Sequence, residues 1–243
     1  MISVQKIILP VDSDKGEDMR SHLDREFEKL KKQILSLSAD VEESVMKAVN
    51  SVVNRDPILG EEVIAADEEI DFSEVDVEEE VLKILALHQP VAGDLRFVLA
   101  ILKINNDLER VGDEAVNIAE RSIFLANHPL PIPPFDFNVM ANKAQNMLRM
   151  SLDSLMNVDA LTAKKVCKLD DEVDELNRMM YSHVQTAIRQ NPEYVENLIH
   201  LLSISRHLER IADYATNIAE DVIYMIEGTI IRHKTEIYLS IEN

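Results

Sequence analysis

Glu109 and Asp113 stand four residues apart, as do Glu209 and Asp213, and each pair is followed four residues later by an asparagine, Asn117 or Asn217. On a helix, side chains at that spacing share a face, and like charges there repel each other. Such a face needs solvent, an arginine or a cation to be tolerable. Oxygen-only donors suit hard cations such as Mg²⁺, Ca²⁺ or Mn²⁺, and carboxylate clusters also suit Fe³⁺. The spacing alone is weak evidence: 45 acidic residues scattered over 243 positions would give about eight such pairs by chance.

Register and repetition carry more weight. The stretch from Leu108 to Glu120 returns from Leu208 to Glu220 with nine of thirteen positions identical, so the chain is two versions of one unit. The segment before each copy holds a second acidic pair, Asp67 with Asp71 and Asp170 with Asp174. In an antiparallel helical hairpin, residues equidistant from the turn lie side by side. About Pro90 this matches Asp71 with Glu109 and Asp67 with Asp113; about Asn191-Pro192 it matches Asp174 with Glu209 and Asp170 with Asp213. At ~100° per residue, Glu109, Asp113, Asn117 and Glu120 lie opposite the apolar positions Leu108, Val111, Ala115 and Ile118. The carboxylates are therefore predicted to face outward, as a surface site. A solvated acidic face with local ion pairs from Arg110 and Arg210 would also produce this pattern.

Other metal chemistries fit less well. Neither cysteines nor regularly spaced histidines support a structural zinc site, and the Glu-x-x-His spacing of a ferritin-like di-iron core does not occur. His207, which replaces Asp107 in the second copy, reads as a surface or packing residue. Met147, Met150, Met179 and Met180 read as core fillers, and Cys167, the only cysteine, as a buried small hydrophobe.

The elements that must position these acids are helices. Five glycines, no tryptophan and abundant Leu, Ala, Glu and Lys favour an all-α fold. Proline clusters at 129, 131, 133 and 134 mark a connector that no helix can cross. The apolar periodicity then predicts three helices per half, over 17–54, 57–88 and 91–127, then 136–157, 159–190 and 192–227. Asp56-Pro57 and Asn191-Pro192 look like N-caps with proline at the first helical position; Asp159 reads as a further cap and Gly228 as a stop. The result is two pseudo-symmetric three-helix bundles, 17–128 and 135–228, with an N-terminal extension (1–16) and a C-terminal tail (229–243). Within that tail, Thr229 to Lys234 would add a short strand or a partner contact.

The formal charge of −20 argues against a nucleic-acid partner, since no basic footprint is there to displace phosphate counterions. No segment approaches the ~20 apolar residues of a membrane span. With a lone cysteine and no leader-like N-terminus, the composition points to the cytoplasm.

The segment Ala86-Leu-His-Gln-Pro-Val-Ala-Gly-Asp-Leu-Arg96, continuing through Leu102 to Asp113 and Asn117 to Glu120, resembles the PhoU family of phosphate-signalling regulators. The resemblance runs from about residue 20 to residue 234. It implies a non-enzymatic, cytoplasmic homodimer that reaches the membrane only through its partners. Such a protein is a negative regulator of phosphate uptake and phosphate-starvation signalling, an adaptor between the ATPase of a Pst-type transporter and a sensor histidine kinase. It also implies metal ions (iron, zinc, manganese or magnesium) at Asp67, Asp71, Glu109 and Asp113, and at Asp170, Asp174, Glu209 and Asp213. The competing readings are an enzyme that uses carboxylates and metal, or a metal-free helical scaffold.

Overall fold

A computed structural model describes residues 13–128 and 137–231, with side chains from residue 22. Helix α1 spans Ser13–Asn54, α2 Pro57–His88 and α3 Ala92–Asn127; α4 spans Phe137–Asn157, α5 Ala160–Gln190 and α6 Val195–Glu227. The fold is all-α, two three-helix bundles related by pseudo-symmetry.

The turns show why the helices stop where they do. After α1, Arg55 takes a left-handed φ of 54°. Asp56 then caps α2, its Oδ1 accepting from the amides of Ile58 (3.0 Å) and Leu59 (3.2 Å), with Pro57 filling the first turn. The second half repeats the device: Val158 has φ 53°, and Asp159 Oδ1 accepts from Leu161 (2.9 Å) and Thr162 (3.2 Å). Gly228, at φ 72°, ends α6, because a left-handed cap costs glycine little.

Two boundaries differ from the sequence reading. Asn191 stands at the N-cap position of a helical turn that begins at Pro192, as expected, but that turn is a short 3₁₀ helix and the Asn191 side chain makes no capping bond. It also closes α5, its amide donating to the Ala187 carbonyl, and α6 starts only after the Pro192–Tyr194 turn. Asn191 has φ −137°, and its carbonyl accepts from the Tyr194 amide at 3.1 Å. α1 begins at Ser13, inside the expected extension. Residues 229–231 carry no regular structure and Ile231 is buried; Arg232 to Lys234, the rest of the expected strand or contact, lie outside the described residues.

Each bundle buries the predicted stripes. Leu108, Val111, Ala115 and Ile118 on α3 and Ile204, Leu208, Ile211, Ala215 and Ile218 on α6 are all fully enclosed. They belong to one continuous core that spans both halves, because α3 and α6 pack directly against each other. Cys167, Met147 and Met180 are buried as expected, and Met150 is half-buried. Met179 is a correction: it is 43% exposed, one residue off the core-facing position that Met180 takes. At the far end of the first bundle, Lys29 and Lys83 both bond Glu80. Burial would push that carboxyl up, but the lysines outweigh it and hold the group at about 2.

Candidate carboxylate site

In the first half, α2 supplies Asp67 and Asp71, and α3 supplies Glu109 and Asp113. The hairpin register that brings them level is pinned one turn away. Asn105 Nδ2 donates to the Glu74 backbone carbonyl at 2.9 Å and to Glu74 Oε1 at 3.2 Å. Gly112 lets the helices close: a β-carbon there would meet Ile70 Cγ2 at 3.3 Å and Asp67 Oδ1 at 3.5 Å. In the second half Ser205 Oγ donates to Asn177 Oδ1 at 2.7 Å, the same hairpin position, and Asp170, Asp174, Glu209 and Asp213 align likewise.

Within each set, burial acts first on the carboxyls and neighbouring acids act next. The Asp67 carboxyl is raised by burial, then by Asp71 and Asp113. Glu109 is raised by burial, then by Asp113, Glu74 and Asp71. Asp113 is raised by burial, then by Asp71 and Glu114, against Arg210 and Arg110. Asp170 is raised chiefly by burial, opposed by a bond from Thr216 Oγ1 at 3.1 Å. Glu209 is raised by burial and then by Asp174. Asp213 is pushed up to about 7 by the protein crowding its carboxylate, then by Asp170, Glu209 and Asp174. All eight residues are exposed or half-buried, so the outward orientation expected from the helical wheel holds.

Proximity stops short of a finished coordination shell. Among the described residues, no three His, Cys, Asp or Glu side chains converge closely enough to hold one ion as they stand. The donor set nonetheless fits a hard cation: oxygens only, on two rigid helices, with carboxyls raised first by burial and then by one another.

Several residues were not singled out by the sequence reading. Glu74 adds a fifth acid to the first patch through its effect on Glu109, and Glu220 acts on Asp170. Helical spacing from Asp71 would have found Glu74. Between the patches, buried Glu114 lies with Oε2 2.6 Å from His207 Nδ1, and its Oε1 accepts from Arg210 at 2.9 Å. His207 is thus a packing residue of the α3–α6 seam, and Arg210 reaches both Asp113 and Asp213 electrostatically.

Comparison with known proteins gives this arrangement its context. The family model described as the PhoU domain matches residues 34–122 and again 137–222. The chain belongs to the PhoU family. It is 42% identical over 211 residues to a phosphate-specific transport system accessory protein PhoU homolog of Aquifex aeolicus, covering 86% of this chain and 95% of that protein. A PhoU homolog of Pseudomonas aeruginosa is 35% identical, over 89% of this chain and 86% of its own. Among solved structures, PhoU from Pseudomonas aeruginosa superimposes with a TM-score of 0.83 at 33% identity, covering 85% of this chain and 99% of that one. The phosphate transport system regulatory protein PhoU from Streptococcus pneumoniae gives 0.78 at 28% identity, over 86% and 98%. Both copies of the PhoU domain thus enclose one acidic hairpin each.

Proposed function

We propose that this chain is a non-enzymatic accessory protein of a phosphate-specific transport system. In this reading it restrains phosphate uptake and phosphate-starvation signalling as a cytoplasmic homodimer that links the transporter's ATPase to a sensor histidine kinase. The observation that carries the reading is the near full-length match to PhoU relatives named as accessory proteins of that system. No helix among the described residues is long and apolar enough to cross a membrane, so attachment to a transporter would run through protein contacts.

The two acidic hairpins serve in this reading as metal sites. Asp67, Asp71, Glu109 and Asp113 would hold one site, and Asp170, Asp174, Glu209 and Asp213 the other. A bound cation supplies the positive charge that each set lacks and ties α2 to α3, or α5 to α6. Magnesium, manganese or ferric iron suits the oxygen donors better than zinc. One observation favours a metal-free scaffold instead: the side chains do not already converge on a common point. An enzymatic role has less behind it. The open cleft beside Glu74, Asp107 and Arg110 has no serine, cysteine or histidine in its lining, so a hydroxyl or thiol nucleophile paired with an imidazole base is not among its lining residues.

The regulatory reading is tested by deleting the gene and following a phosphate-starvation promoter in phosphate-replete medium. The reporter is expected to switch on, and to fall silent again when the intact gene is returned. A reporter that stays silent in the deletion strain contradicts the reading.

A further inference from the structure

Helix α2 exposes large apolar side chains as well as burying them. Its core face is filled by Val63, Ile70, Val77, Val81 and Ile84. Its solvent face carries Phe72, Val75 and Leu82 at 65%, 48% and 54% exposure, with Ile64 at 38%. At ~100° per residue these four fall within an arc of about 80°, and Ile64 and Leu82, eighteen residues apart, sit directly in line over about 27 Å. Exposed Glu61, Glu68 and Glu79 stand between them on the same arc, and among the described residues α2 packs chiefly against α1 and α3, which leaves these apolar side chains facing outward.

The internal repeat supplies a control. The caps Asp56 and Asp159 and the buried pairs Val63–Val166, Ile70–Val173 and Val81–Val184 set α2 and α5 in register at an offset of 103 residues. At that offset Phe72, Val75 and Leu82 correspond to Glu175, Arg178 and Gln185, all exposed, with Arg178 paired to Glu175 at 3.4 Å. Ile64 corresponds to Cys167, which is buried. The architecture therefore folds with an ordinary solvated face here, and the first half departs from it.

Charge selects the occupant. α2 carries eleven acidic side chains and one lysine, whereas α5 carries five acids and five bases. A second copy would set these acids against one another across a symmetric interface, and an anionic membrane surface would be repelled. We propose that the outer face of α2, centred on Phe72, Val75 and Leu82, docks a helix of another protein that bears an apolar stripe flanked by lysine and arginine. The straight stripe matches helix-on-helix packing, in which apolar ridges interlock and flanking charges choose the partner. The proposal stands whether or not the hairpins hold metal.

A substitution set drawn from the second half tests it: Phe72→Glu, Val75→Arg and Leu82→Gln leave the net charge unchanged. The probe is a labelled 21-residue synthetic peptide with leucines at helical spacing and lysine flanks, compared with a peptide of identical composition in scrambled order. The full chain is expected to bind the patterned peptide at least tenfold more tightly than the scrambled one. The triple variant, with unchanged helix content and melting temperature, is expected to bind both alike. Equal binding of the two peptides by the full chain, or undiminished preference in the variant, overturns the proposal. So does a photo-crosslinker placed at position 72 that joins a second copy or the chain's own residues 1–12 while the peptide is present.

Discussion

Asp67, Glu109, Asp113, Asp170, Glu209 and Asp213 are costly as carboxylates in the metal-free protein, and Asp213 bears the largest penalty. Its carboxyl moves from an ordinary 3.8 to about 7, through crowding first and then Asp170, Glu209 and Asp174. Between pH about 4 and about 7 the folded chain thus holds a proton that the unfolded chain has released. The sign follows: stability falls as pH rises through this window and the penalty is complete above it. Asp213→Asn removes the charge. In chelator-treated protein the variant is expected to melt a few degrees above wild type at pH 8, a difference that shrinks toward pH 4; a gap independent of pH would contradict the assignment. The acids themselves were legible in the sequence, because hairpin register is simple geometry. The Glu114–His207–Arg210 bridge was not. Its partners lie 93 or more residues apart, and nothing in local spacing announces which faces of α3 and α6 meet.

Elements were legible wherever a local device fixes them. Asp56 and Asp159 cap as their side chains require, and Gly228 takes the left-handed stop. Asn191 makes no side-chain cap, and its backbone is spent on closing α5 and opening the 3₁₀ turn that delays α6 to Val195. The close approach of α2 and α3 is fixed by two glycines that differ in tolerance. At Gly60 a β-carbon would sit 2.9 Å from Ile123 Cγ1 and 3.0 Å from Ser122 Oγ, whereas at Gly112 the nearest atom is 3.3 Å away. Alanine gains about 1 kcal/mol of helix propensity at either site, but overpacking of this kind costs about 1–3 kcal/mol. Gly60→Ala is expected to lower the melting temperature by a few degrees. Gly112→Ala is expected to leave it level or raise it, since Ala212 occupies the same place in the second half and is buried without distortion. Equal effects from the two substitutions would contradict this view of the α2–α3 contact.

For the molecule as a whole, duplication explains both what repeats and what does not. The core, the caps and the acidic hairpins are kept in both copies, as packing and register demand. The outer face of α2 is not kept, and that asymmetry escaped the sequence reading because exposed and buried apolar residues look alike until the packing neighbours are known. Two acidic hairpins in one chain imply two demands for positive charge, which makes metal stoichiometry the most direct measurement of what they do. The tag-free chain would be loaded with manganese or iron, passed through gel filtration and subjected to elemental analysis. At least two equivalents per chain are expected, falling by half when Glu109 and Asp113 are changed to alanine. Less than one equivalent in the intact chain, or full retention by the double variant, would contradict the assignment of these carboxylates as metal ligands.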